Sequence, residues 1–111
     1  DYMLVYEDEG VVQGFVHFGP LDITDRSWCL FWIAVSKEAQ GRGIGKQMLE
    51  EVRKVFGDFR VKPRALFIET SSRVEYAATR AFYKCCGFSV AGVITNYYAD
   101  GDSKVVFSKN I

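Results

Sequence analysis

The apolar residues of this chain recur with two different periods, one typical of β-strands and one typical of α-helices. Alternating or continuous apolar segments bounded by turn residues predict strands over residues 3–7, 11–18, 28–35, 65–68, 88–98 and 104–108. The segment 28–35 is apolar at nearly every position, which predicts a central strand that is buried on both faces.

Two segments have the three-to-four-residue spacing of an amphipathic helix. The first covers residues 43–56, and its apolar positions share one face: Ile44, Met48, Leu49, Val52, Val55 and Phe56. The second can be capped by Ser71 or by Ser72, of which Ser72 has a glutamate three residues later in the spacing of a capping box, and it ends at Gly87. Its inward side is predicted to consist of Val74, Ala77, Ala78, Ala81, Phe82 and Cys85.

Turn residues connect these elements in an order that defines the sheet. Tight hairpin turns are predicted at residues 8–10 and 100–101, whereas Gly19-Pro20 is predicted to end the second strand. Strand, helix and strand over residues 28–68 imply a right-handed parallel crossover. The fold class is therefore α/β (α+β), one domain over residues 1–111 with a mixed, mostly antiparallel sheet and two helices.

Composition and charge narrow the class of protein. With 14 basic and 14 acidic side chains the formal net charge is zero, so no charge pattern indicates nucleic acid or a membrane surface as partner. The three cysteines and one histidine have no metal-ligand spacing, so we expect no metal and a reduced, cytoplasmic compartment. Apolar strands at both ends of the sheet leave a homodimer as an expectation.

Three glycines, Gly41, Gly43 and Gly45, lie where the central strand passes into the first helix. Glycine permits positive φ angles and close approach of a ligand, and the first turn of a helix presents unpaired N–H groups that bind phosphate. The loop has neither the G-x-G-x-x-G spacing of dinucleotide sites nor the spacing and Lys-Ser/Thr of nucleoside-triphosphate loops. An unliganded strand-to-helix turn remains the alternative.

The loop fits the pattern Q-x-x-G-x-G, with Gln40, Gly43 and Gly45, and the second helix ends with Phe82-Tyr83 followed by Gly87-Phe88. In both segments the chain resembles the GNAT N-acetyltransferase superfamily. The resemblance implies the GNAT, or acyl-CoA N-acyltransferase, fold. It also implies transfer of acetyl from acetyl-CoA to a primary amine, by direct attack in a ternary complex. The acceptor would be a small-molecule or peptide amine.

The resemblance also implies roles for individual residues. Backbone N–H groups of Gly41, Arg42, Gly43, Ile44, Gly45 and Lys46 would bind the cofactor pyrophosphate, and the side chains of Arg42 and Lys46 would add positive charge. Gln40, the first residue of the motif, belongs to the same cofactor-binding loop. Backbone groups of Ile33, Ala34 and Val35 would pair with the pantetheine arm and bind the thioester oxygen. Tyr83 would be the general acid, with Tyr76 and Thr79 on the same helix face near the cofactor.

Other parts of the chain depart from the family pattern or leave alternatives. The family's initial strand and two helices have no match, so an N-terminally truncated domain or completion by another chain is expected. Many members have Asn where this chain has Tyr76. Glu69 is the first candidate for the general base, and His17, Asp22 and Asp25 are the others. A non-catalytic acyl-CoA-binding module is the alternative function, and an unrelated structural domain is the third.

Overall fold

The computed structural model describes all residues 1–111, and its six strands form one mixed sheet in the order β1-β2-β3-β4-β6-β5. The elements are β1 Tyr2–Asp8, β2 Val11–Pro20, β3 Ser27–Val35, α1 Ile44–Gly57, β4 Ala65–Ser71, α2 Ala77–Cys85, β5 Ser89–Ala99 and β6 Asp102–Asn110. Short 3₁₀ turns, Lys37–Ala39 and Val74–Tyr76, precede α1 and α2. Only β3 and β4 are parallel, which confirms the predicted sheet.

Both helices pack against the same face of the sheet. The predicted face of α1 is confirmed in its main contacts, because Ile44, Met48, Val52 and Phe56 are buried. Phe56 meets an aromatic cluster from β2 and β3 and the connector after α1, which also contains Phe18, Trp28 and Phe59. No helix combines the length and the apolar character needed to cross a membrane.

Turn-forming residues mark the ends of β1 and β2 correctly in one case and incorrectly in another. Glu9 and Gly10 have φ angles of 51° and 80°, as a two-residue hairpin turn between right-twisted strands requires. Gly19-Pro20 was predicted to end β2, but the strand continues through both residues, which pair with Cys29 and Trp28. Proline is tolerated there because β1 begins at Tyr2, opposite Phe18, so Pro20 lies where β2 has an open edge and needs no N–H donor on that side.

The prediction for α2 was wrong in its cap and in its buried face. The Ser72 hydroxyl accepts a hydrogen bond from Ser103 N–H at 2.8 Å and caps no helix. Tyr83 is the only buried residue of α2, while the alanines and Cys85 are exposed. α2 packs chiefly through Tyr83, whose ring contacts Phe107 and Phe88, and an aromatic ring buries far more apolar area than alanine.

The central strands separate halfway along their length. β3 and β4 pair only from Ser27 with Ala65 to Leu30 with Ile68. Immediately afterwards Phe31 is an extra residue in the pairing of β3 with β2, because His17 faces Trp32 and Phe18 faces Leu30. A bulge of this kind bends its strand. The expectation of burial on both faces therefore fails for the second half of β3, where Trp32 is 68% exposed.

Candidate functional site

The glycine loop folds into a surface of free backbone N–H groups. Gly41 and Gly43 have φ angles of 83° and 75°, and Gly43 is the N-cap of α1. A Cβ atom at either position would meet no neighbour within 4 Å, so the glycines are needed there for backbone conformation. The first helical hydrogen bond runs from Gln47 N–H to the Gly43 carbonyl, and the N–H groups of residues 41–46 make no hydrogen bond within the protein.

Of the polar side chains in the loop, two contact other protein groups and the third lines the cleft. The Gln40 side-chain amide donates to the Val35 carbonyl at 3.1 Å, which ties the loop to the end of β3. Arg42 lies 3.6 Å from the Asp8 carboxylate in an exposed ion pair, outside the cleft. Lys46 lines the cleft. Of the two predicted cationic side chains, the structure thus brings only Lys46 to the cleft.

A cleft of about 590 Å³ joins the loop to the separated end of β3 and to α2. It contains eleven residues predicted from the sequence: Ile33, Ala34, Val35, Gln40, Gly41, Gly43, Ile44, Gly45, Lys46, Thr79 and Tyr83. The sequence did not identify Ala39, Ala78 and Phe82, which also line it. Tyr76 is outside the lining and 46% exposed, because it precedes the first turn of α2.

Phe82 contacts Gly45 at the point where the two helices meet. A Cβ atom on Gly45 would lie 2.9 Å from Cζ of the Phe82 ring. The third glycine therefore serves helix packing, whereas Gly41 and Gly43 provide positive φ angles. The glycine at position 45 was the sequence signal for a close contact there. Phe82 was predicted to face the core, so it was not considered as the neighbour of Gly45.

Tyr83 is 5% exposed and packs among Phe82, Phe88 and Phe107. Burial raises the pKa of its phenol to about 12. No protein group bonds its hydroxyl, and no fully buried side-chain oxygen in the protein lacks a partner. The hydroxyl is therefore open to the cleft that Tyr83 lines. It is a neutral hydrogen-bond donor at physiological pH.

Glu69 lies on the opposite face of the sheet, one residue beyond the last pair between β3 and β4. Its carboxylate is 2.9 Å from the Lys104 ammonium, and this bond raises the pKa of Lys104. The same ammonium lies 4.0 Å from the centre of the Tyr97 ring. The gap between the strands thus has the helix-side cleft on one face and an ion pair with an aromatic ring on the other.

The remaining candidate bases are distributed differently. Asp25 bonds Arg64 at 2.5 Å and also Arg26, and these contacts hold the pKa of its carboxyl below the usual range. Its loop, which also carries Asp22, lies at the start of β3, remote from the cleft. His17 is closer, with its ring 5.1 Å from that of Phe31 and its Nε2 atom 3.1 Å from Asp1.

Comparison with known proteins accounts for this combination of fold and loop. Residues 1–90 match the family model described as "Acetyltransferase (GNAT) domain". The chain belongs to the GNAT acetyltransferase family.

Individual relatives agree with this membership. The chain is 33% identical over 88 residues to a 5-NmdU N-acetyltransferase of Pseudomonas phage PaMx11; the match covers 79% of this chain and 57% of that protein. A GNAT-family protein from Desulfovibrio desulfuricans superposes with a TM-score of 0.90 at 33% identity over 97% of this chain and 67% of its own. A ribosomal-protein-alanine N-acetyltransferase from Brucella melitensis gives 0.76 at 25% identity, covering 98% and 68%. The chain thus spans a little over half of the curated relative.

Proposed function

We propose that this chain is an acetyl-CoA-dependent N-acetyltransferase that acts by direct attack of a primary amine on the thioester in a ternary complex. The observation that carries the proposal is the run of unpaired N–H groups of residues 41–46 at the start of α1, because all of these residues except Arg42 line a cleft beside the separated strands. Such a helix start binds phosphate, and in acetyl-CoA this is the pyrophosphate.

The cofactor lies along the cleft in this proposal. The N–H groups of residues 41–46 bind the pyrophosphate, and Lys46 adds a positive charge. The pantetheine arm follows the edge of β3 beyond Leu30, where β4 no longer pairs with it. Backbone groups of Ile33 and Val35 are its partners, and an N–H near Ala34 or Val35 stabilises the negative charge that develops on the thioester oxygen.

The amine reaches the thioester carbon from the opposite face of the sheet. Its nitrogen forms the new C–N bond, the C–S bond breaks, the amine loses one proton and the CoA sulfur gains one. Tyr83 donates its hydroxyl proton to the departing sulfur, and burial keeps that proton in place at neutral pH. Glu69 lies at the gap and accepts the amine proton, directly or through water; Tyr76 then belongs to the outer rim of the cofactor site.

Two acceptors merit testing because they appear in the names of two relatives. One relative is named for 5-NmdU and another for a ribosomal-protein alanine. Both relatives are named as N-acetyltransferases, and the neutral charge of this chain favours neither acceptor.

The experiment is a calorimetric titration of acetyl-CoA into the wild type and two matched variants, Gly43→Ala and Gly10→Ala. Both glycines have φ near 80° and open space at the Cβ position, so each substitution should cost about 1 kcal/mol of unfolding free energy. Only Gly43→Ala should weaken acetyl-CoA binding, because only Gly43 lies in the loop. Equal affinities in all three proteins would refute the assignment of the glycine loop to the cofactor pyrophosphate.

Thiol release with 5-NmdU and with an alanine-initiated peptide then tests catalysis. A non-catalytic acyl-CoA-binding module is the second candidate, and the pairing of Glu69 with Lys104 favours it, since the best-placed carboxylate is already engaged. Binding of acetyl-CoA without turnover of any amine would support that candidate over the enzyme.

A further inference from the structure

The start of α2 is held to the sheet by a side-chain contact and not by a helix cap. The helix has nine residues, and its N-cap residue, Tyr76, makes no side-chain capping bond. The preceding 3₁₀ turn also lacks a side-chain cap. A short helix without a cap is weakly ordered at its first turn, yet this turn carries Thr79, which lines the cleft.

Arg80 supplies the missing connection. Its Nη1 atom donates to two carbonyl oxygens, those of Ser71 and Arg73, each at 2.8 Å. Ser71 is the last residue of β4, and Arg73 precedes the 3₁₀ turn. The guanidinium therefore ties the middle of α2 to the end of the strand from which the helix departs.

The strand end that Arg80 holds forms one wall of the gap. Beyond Ile68, β4 pairs with β6 alone, up to Ser71 opposite Lys104. The Ser71 hydroxyl bonds the Asp102 carboxylate, and Ser72 N–H donates to the Ser103 carbonyl at 2.9 Å. These bonds fix the strand end on β6, so Arg80 connects α2 to a firmly held part of the sheet.

We propose that Arg80 is a positioning residue that sets the distance of the Tyr83 hydroxyl from the reacting thioester. Tyr83 lies three residues after Arg80 on α2, so a shift of the first turns of the helix moves both residues together. A displacement of about 1 Å at a reacting group is enough to lower a rate by one to two orders of magnitude. The inference rests on the proposed function, in which Tyr83 is the general acid.

A double-mutant cycle of Arg80→Met and Tyr83→Phe tests the inference through kcat, measured by thiol release with 5-NmdU and with an alanine-initiated peptide. Tyr83→Phe should lower kcat about a hundredfold, and Arg80→Met about tenfold, with little change in the KM for acetyl-CoA. In the Tyr83→Phe background Arg80→Met should cost less than twofold, because the residue through which it acts is gone. Arg80→Lys should be intermediate.

The control is Lys84→Met, on the same helix, where an exposed lysine makes no side-chain hydrogen bond or ion pair. It should leave kcat unchanged in both backgrounds. A full tenfold loss from Arg80→Met in the Tyr83→Phe background would overturn the positioning role. If Tyr83→Phe itself leaves kcat unchanged, the proposed acid fails, and the positioning role fails with it.

Amide hydrogen exchange gives a readout that needs no acceptor. In Arg80→Met, the amides of Ala77 to Arg80 should exchange at least tenfold faster than in the wild type, while those of α1 stay unchanged. Lys84→Met should show no such effect. Unchanged exchange at the start of α2 would show that Arg80 does not hold the helix, whatever the turnover of the wild type.

Discussion

At the scale of single residues, the environment of Tyr83 serves packing and also suits the proposed proton transfer. Its ring is enclosed by Phe82, Phe88 and Phe107, while its hydroxyl opens onto the cleft. The enclosure raises the pKa of the phenol to about 12, so the proton remains in place at every physiological pH. The consequence for stability appears only in alkali.

Tyr83→Phe should therefore change how stability depends on pH. The folded protein holds the phenol proton more tightly than the unfolded chain, whose tyrosine pKa is about 10. The stabilisation is fully present below pH 10 and is lost as the pH rises from 10 to about 12. A rise from 10 to about 12 corresponds to at most about 3 kcal/mol of unfolding free energy. Urea unfolding at pH 9 and pH 11.5 measures it.

The Tyr83→Phe variant has the same ring without the ionisable group, so it should lose less stability between those pH values than the wild type. Buried Cys29, whose pKa burial raises to about 11, contributes equally in both proteins. Parallel losses in the two proteins would contradict the raised pKa of Tyr83.

At the scale of elements, the approach of α1 to α2 depends on the pair Gly45 and Phe82. Gly45→Ala places a Cβ 2.9 Å from the Phe82 ring tip and should lower the unfolding free energy by about 1 kcal/mol. In a Phe82→Leu background the tip is absent. There the same substitution should raise the unfolding free energy by up to about 1 kcal/mol, because alanine favours helix over glycine. Urea unfolding of the four proteins measures both effects. A change of the same sign and size in both backgrounds would mean that the contact has no influence.

The same two helices show what the sequence predicts and what it does not. α1 has large apolar residues at steps of three and four, so its buried face follows from the pattern. In α2 the residues at helical spacing are mostly alanines, whose small area does not decide orientation. Tyr83 turns inward because Phe88 and Phe107 are there to receive it, and Phe107 comes from β6, which is remote from α2 in the sequence.

The candidate site also has features that the sequence predicts and features that it does not. Gly41 and Gly43 were predictable because the backbone conformation is a local property of the loop. The bond from Gln40 to the Val35 carbonyl, the pairing of Glu69 with Lys104 and the two bonds of Arg80 depend on tertiary neighbours. Sequence spacing therefore located the glycine loop, whereas the partners of the polar side chains required the fold.

At the scale of the whole molecule, the two faces of the sheet differ. Both helices cover one face, where Leu4 and Tyr6 of β1 pack against the core. On the other face Met3, Val5 and Trp32 are more than half exposed. Exposed apolar surface promotes association most strongly when net charge provides no repulsion.

The formal net charge is zero, and the isoelectric point is about 6.8. Reversible self-association should therefore be strongest near pH 6.8 and weaker at pH 8.5, where the chain is negative. Static light scattering measures this as the second virial coefficient, which should be lowest near pH 6.8. Val5→Lys should raise the coefficient more than Val61→Lys does, although both valines are exposed and both changes add one charge. Val61 lies in the connector between α1 and β4, away from the open face. Equal effects of the two substitutions would mean that charge alone, and not the uncovered face of the sheet, governs association.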